Sequence, residues 1–62
     1  MEYDKYHYLL LEDYKNKSEN RVIPFETMAM LRVYAKVAMQ QNARYKAFVL
    51  ESDTRKIEMV WE

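Results

Sequence analysis

Residues 27–42 read TMAMLRVYAKVAMQQN and form the one stretch long and periodic enough to specify a helix. At 100° per residue, Leu31, Ala35 and Ala38 fall together and can face a core. Tyr34, Met30, Val37 and Val33 extend that patch sideways. The apolar arc spans about 200°, whereas a helix packed on one side of a core needs only about 100° or somewhat more. Arg32, Lys36 and Gln40 fill the narrow polar arc, with Met39 and Ala29 beside them. Met30, Val33 and Val37, with Tyr34 beside them, are therefore surplus to a single core. Either a loop or the curvature of a sheet covers them, or another chain does. Contiguous exposed apolar surface marks partner sites, which favours the second.

The flanks of the helix read as strands. Residues 3–14 carry Tyr6, Tyr8 and Leu10 on one alternating face and His7, Leu9 and Leu11 on the other. A strand apolar on both faces belongs in the middle of a sheet. Residues 15–20, KNKSEN, are a polar turn. Residues 21–25 form a short second strand, and Pro24, which has no N–H to donate, places it at an edge. Thr27 caps the helix at its start. Asn42 stands where glycine commonly ends a helix, and the chain contains no glycine. Asn16, Asn20 and Asn42 are thus expected to be structural.

Residues 44–51, RYKAFVLE, make a third strand, again apolar on both faces. After a turn at 52–55, residues 56–62 alternate cleanly, with Ile57, Met59 and Trp61 against Lys56, Glu58, Val60 and Glu62. That pattern suits an edge strand with one wetter face. A four-residue turn pairs Glu51 with Lys56 and sets Leu50 beside Ile57 and Phe48 beside Met59. A three-residue loop flips that set and puts Val49 beside Met59 instead. The first joins larger side chains and opposite charges, so it is preferred.

Hairpin pairing of strands 1 with 2 and 3 with 4, and a right-handed crossover through the helix, give a sheet order of 2-1-3-4. The expected fold is α+β: a single ββαββ domain over residues 1–62, with one helix on a four-stranded antiparallel sheet. The two doubly apolar strands become central and the proline strand lies at an edge. The sheet face away from the helix is expected to lack cover within the chain. Several of Tyr8, Leu10, Tyr45, Val49 and Val60, or the residues alternating with them, are expected there.

Composition narrows the chemistry. The chain has 62 residues, half of them hydrophobic and 32% charged, as in a globular domain. So short a chain buries roughly 60% of its unfolded surface, which leaves a marginal core. Cysteine is absent and His7 is the single histidine, so disulfides, thiolate sites and a multi-His zinc site within one chain are excluded. Oligomerisation is the stabiliser that remains. Net charge is zero, but the middle third is basic and both flanks are acidic. The acidic start, with Glu2 and Asp4, argues against a signal peptide, and no apolar run reaches membrane-spanning length. A cytoplasmic protein without membrane association is expected.

No catalytic, metal-binding, cofactor-binding or phosphate-binding signature is present. Ser18, Ser52, Thr27 and Thr54 fall in turns or at a cap, where hydroxyl residues are ordinary turn chemistry. Glu12 and Asp13 point to opposite sides of a strand, and Glu51 and Asp53 sit at a hairpin turn rather than in a cleft. His7 among tyrosines reads as a packed or half-exposed strand residue. Arg32, Lys36 and Gln40 recur every four residues as one stripe, with Arg44 near its end. Such a stripe can follow phosphates while tyrosines stack on bases, but a short stripe on the polar side of a helix is more often solvated surface. The methionines and aromatics exceed what one helix on a small sheet can bury, which favours association.

The hairpin, the stretch Ile23-Pro24-Phe25-Glu26-Thr27 leading into a helix, then Tyr45-Lys46-Ala47-Phe48-Val49 and a closing hairpin together resemble short orphan accessory proteins of bacteria, their phages and mobile elements. The resemblance covers the whole chain. It implies a homodimer, or a protein that binds and inhibits a larger partner, and carries no functional residue over. The sequence thus leads to a non-enzymatic interaction protein, homodimeric, with Met30, Val33, Tyr34 and Val37 as its interface. A nucleic-acid-binding accessory protein using Arg32, Lys36 and Arg44 is the alternative.

Overall fold

The structure, a computed structural model, describes residues 2–61. Strand β1 spans His7–Asp13 and β2 Arg21–Phe25, joined through a single 3-10 turn at Lys17–Glu19. Helix α1 spans Met28–Gln41, and strands β3 (Tyr45–Leu50) and β4 (Lys56–Glu58) follow. The sheet order is β2-β1-β3-β4 with every neighbour antiparallel. Pro24 accordingly lies in an edge strand, where its missing donor leaves no gap in an inner ladder.

The helix begins where its cap dictates. Thr27 is extended, and its side chain accepts from the Met30 amide at 3.2 Å. At the other end the Asn42 amide donates to the Ala38 carbonyl at 2.9 Å. Asn42 is not the left-handed substitute for glycine that its position suggests. Its φ is −137°, and no described residue has positive φ. It ends the helix through its side chain, whose Oδ1 accepts from the Arg44 amide at 3.0 Å. Asn16 and Asn20 are structural in the same manner. Asn16 Oδ1 accepts from the Ser18 amide and Asn20 Oδ1 from the Asp13 amide, at 3.2 and 2.8 Å.

Odd-numbered strand residues face the helix. Leu9 and Leu11 of β1 meet Ala47 of β3, Met59 beyond β4, and Leu31 and Ala35 of α1 to form the core. Leu9, Leu11 and Leu31 are fully buried, which contributes on the order of 2 kcal/mol each. Met39, placed by periodicity beside the polar arc, is half-buried and packs on this core.

Four further expectations need correction. The first strand begins at His7 rather than residue 3. Residues before it form a turn in which the Lys5 and Tyr6 amides both donate to the Glu2 carbonyl, at 3.1 and 3.0 Å. The last strand stops at Glu58, although the Met59 amide still donates to the Ala47 carbonyl at 2.9 Å. Glu62, expected at its end, lies outside the described residues.

The closing hairpin has the three-residue loop of the second expected arrangement, but the residue partners of neither. Val49 lies opposite Ile57, and Phe48 opposite Glu58. Glu51 and Ser52 amides both donate to the Arg55 carbonyl, at 2.9 and 3.3 Å, which closes a loop of three residues. This register puts Ile57 and Met59 on the helix side, so that Met59 is buried; a slip of one residue turns them outward. The lost Glu51–Lys56 pairing is replaced by Glu51–Arg55 at 3.1 Å and Lys56–Glu12 at 2.8 Å.

The outer sheet face has partial cover from its own chain. It carries Tyr8, Leu10, Phe48 and Leu50, while Tyr45 and Val49 lie on the helix side against the core. Val60 is exposed beyond the strand. The N-terminal turn folds over Tyr8: the Glu2 amide donates to its hydroxyl at 2.9 Å, and the Tyr3 ring meets its ring edge-on at 5.3 Å. The Tyr3 hydroxyl donates to Asp53 at 2.8 Å, tying this turn to the β3–β4 loop. Lys56 lies 4.5 Å over the Phe48 ring on its way to Glu12.

Candidate interaction surface

Among the described residues, four of the eight exposed large hydrophobics lie together on the helix, the others being Tyr14, Val22, Ile57 and Val60. Leu31 and Ala35 point into the core, so the residues on the opposite side of α1 face outward. There Met30 is 56% exposed, Val33 67%, Tyr34 45% and Val37 47%. A helix with one solvated face normally carries charge in these positions. These four side chains and Phe25 and Ala29 line a shallow, open, apolar groove. Phe25, at the end of β2, tilts its ring against Tyr34 with centroids 5.4 Å apart, which fixes one wall.

The basic residues separate into two environments. The Arg32 guanidinium stacks 5.4 Å from the Trp61 ring, and Lys36 shares a cleft with Arg32, Val33, Val60 and Trp61. Arg44 is elsewhere. Its Nε donates to Asp13 Oδ2 at 3.1 Å, so its charge is matched by a buried carboxylate. The structure does not gather the three into one surface.

Asp13 is the residue that sequence reasoning missed. Its side chain is wholly buried. Oδ2 accepts from Asn42 Nδ2 at 3.0 Å as well as from Arg44, and Oδ1 accepts from the Lys15 and Asn16 amides at 2.9 and 3.1 Å. The Asn42 bond is the largest influence on its acidity; burial opposes it, and the two amides and Arg44 add to it. Together they hold the carboxyl at about 2, below its ordinary 3.8. An aspartate at a strand end, three residues before Asn16, was a signal for an Asx-type turn. Nothing in the sequence paired it with Asn42. The arrangement is a fully bonded brace, with no reactive group turned toward a cleft.

Among the described residues, no group of three or more His, Asp or Glu side chains is placed to hold a metal ion. No buried side-chain polar atom among them lacks a hydrogen-bond partner. No helix among them is long and apolar enough to cross a membrane. No family model, curated protein or solved structure matches this chain.

Proposed function

We propose that this chain is a non-enzymatic, cytoplasmic interaction protein that pairs with a second copy of itself and binds a larger protein. The observation that supports it is the outward face of α1, where Met30, Val33, Tyr34 and Val37 stand exposed in place of charged residues. The resemblance to phage and mobile-element accessory proteins supports the second half, binding to a larger protein, with inhibition as one outcome of that binding.

Light scattering across a dilution series tests the pairing. A dimer that dissociates on dilution is expected, and Val33→Glu is expected to give a folded monomer. A monomer at every concentration overturns self-association and leaves the face to a different protein. An unchanged dimer in a folded Val33→Glu variant removes this face from the interface.

Nucleic-acid binding through Arg32 and Lys36 is the second reading, supported by the cleft they share with Trp61. It predicts a mobility shift that weakens with salt. No shift at low salt with single- or double-stranded DNA or RNA removes it.

A further inference from the structure

The β1–β2 loop turns without glycine, and its conformation is fixed from several sides. At its start Asp13 Oδ1 accepts from the Lys15 and Asn16 amides. Within it Asn16 Oδ1 accepts from the Ser18 amide and hydroxyl, at 3.2 and 2.6 Å. At its end Asn20 Oδ1 accepts from the Asp13 amide, and Arg21 donates to the Ser18 and Asn20 carbonyls at 3.2 and 3.0 Å. The Tyr45 hydroxyl ties the loop to β3 by donating to the Glu19 carbonyl at 2.7 Å. A satisfied polar network of this kind rigidifies the segment it holds. Loops positioned by a rigid scaffold are where binding groups sit.

This loop presents an aromatic ring among cations. Tyr14 is 70% exposed. It lines an open cleft with Lys17, Lys46, Asn20, Glu12 and Asp13, and Lys15 follows it in the same turn. The carboxylates around the cleft are matched. Asp13 is buried against Arg44, Glu12 accepts through both oxygens from Lys56 at 2.8 and 2.9 Å, and Glu19 faces Arg21 at 3.6 Å. Glu58, on the outer sheet face, lies further off, opposite Phe48 in the edge strand. Among the described residues, Lys15, Lys17 and Lys46 have no carboxylate within ion-pair distance. The cleft is therefore net positive, with the Tyr14 ring on its wall.

We propose that this cleft binds single-stranded nucleic acid, with the Tyr14 ring stacked on an unpaired base and Lys15, Lys17 and Lys46 on the flanking phosphates. The lining favours this over an acidic protein segment. Protein interfaces are built around an apolar core, whereas Tyr14 is the one large apolar group lining this cleft. A single strand draws its affinity from phosphate neutralisation and stacking, which the lysines and Tyr14 supply. The cleft shares no residue with the one that Arg32 and Lys36 form against Trp61, and its use does not depend on self-pairing.

Fluorescence anisotropy with a labelled single strand of about 12 nucleotides, and with a duplex of the same length, tests it. Single-strand binding is expected in about 50 mM NaCl and about 20-fold weaker binding in about 200 mM, as counterion release from three phosphates requires. The Lys17→Ala, Lys46→Ala double variant is expected to bind the single strand about tenfold more weakly or worse. Tyr14→Ala is expected to weaken the single strand about tenfold and leave the duplex unchanged, while Tyr14→Phe keeps the ring and the affinity. These side chains are exposed, so circular dichroism is expected to show the native fold in every variant. No binding of either probe at the lower salt overturns the inference. Binding that survives loss of Lys17 and Lys46 also overturns it; if the Arg32→Ala, Lys36→Ala variant then abolishes binding, the helix cleft is the contact instead. Unchanged single-strand affinity in Tyr14→Ala overturns the stacking and the assignment to unpaired strands. Polyglutamate that displaces the labelled strand as well as an unlabelled strand of equal charge overturns the assignment in favour of an acidic protein.

Discussion

Asn42 Nδ2 donates to Asp13 Oδ2 at 3.0 Å, joining the cap of the helix to the end of the central strand across 29 residues of chain. This bond locks the two layers together at one end, beside Met39, which packs on the core from the last turn of the helix. It also lowers the Asp13 carboxyl to about 2. A carboxyl depressed on folding gives stability that is fully present above its ordinary value of 3.8 and is lost as pH falls through about 2. Asn42→Ala removes the largest cause, so the folded carboxyl moves back toward 3.8. The variant is expected to be less stable near neutral pH and to lose less further stability between about pH 4 and 2. Thermal midpoints of both proteins across that range check it; parallel curves would contradict it.

Removing the carboxylate has a harsher effect. Asp13→Ala leaves two backbone amides, Asn42 and Arg44 without their acceptor. A fall in Tm of roughly 10 °C or more is expected, since orphaned buried donors cost far more than a hydrogen bond contributes. Differential scanning calorimetry measures it.

Leu31→Ala and Val33→Ala separate core from surface two residues apart. Leu31 is fully buried, and its truncation is expected to cost about 2–5 kcal/mol. Val33→Ala is expected to cost under about 0.5 kcal/mol at concentrations where the chain is monomeric. Urea midpoints at low protein concentration test the contrast, and equal losses would contradict the placement of the helix.

Thr27→Ala removes the acceptor for the Met30 amide. A loss of about 1 kcal/mol is expected, with Thr27→Asn restoring most of it. Hydrogen exchange at Met30 reports the same bond locally.

Tyr8→Phe deletes the hydroxyl that accepts from the Glu2 amide. The N-terminal turn is expected to loosen while the sheet persists. Faster exchange of the Lys5 and Tyr6 amides, with Leu9 and Leu11 unchanged, is the expected result; uniform acceleration would mean that the turn and the sheet open together.

Helix extent, strand order and edge placement of Pro24 were legible because each follows from a local rule: a cap, a period, a missing donor. The outward position of Met30, Val33, Tyr34 and Val37 was legible for the same reason, as an arc wider than one core can use. The closing register was not, because it depends on how Glu51 and Ser52 share the Arg55 carbonyl and on Met59 reaching the core. Pairing Glu51 with Lys56 looked sound locally, but Lys56 satisfies its charge on Glu12, 44 residues away. Cover of the outer sheet face was hidden for a like reason. Tyr3 read as strand, and its attachment to Asp53 spans 50 residues. The Asp13 brace combines both difficulties, since half its donors are local and half are remote.

The β1–β2 turn and both helix ends use side-chain acceptors, and the other turns use backbone carbonyls, with every described φ negative and no glycine in the chain. No residue is therefore reserved by backbone sterics. A lineage carrying this fold meets no glycine-only position in its described turns, so substitution there is limited by lost acceptors such as Asp13 rather than by backbone conformation. Glycines that anchor recognisable signatures in other small folds have no counterpart here. Under mutation such a protein can keep its shape while its sequence drifts quickly, and what persists is the spacing of apolar and acceptor residues rather than their identity.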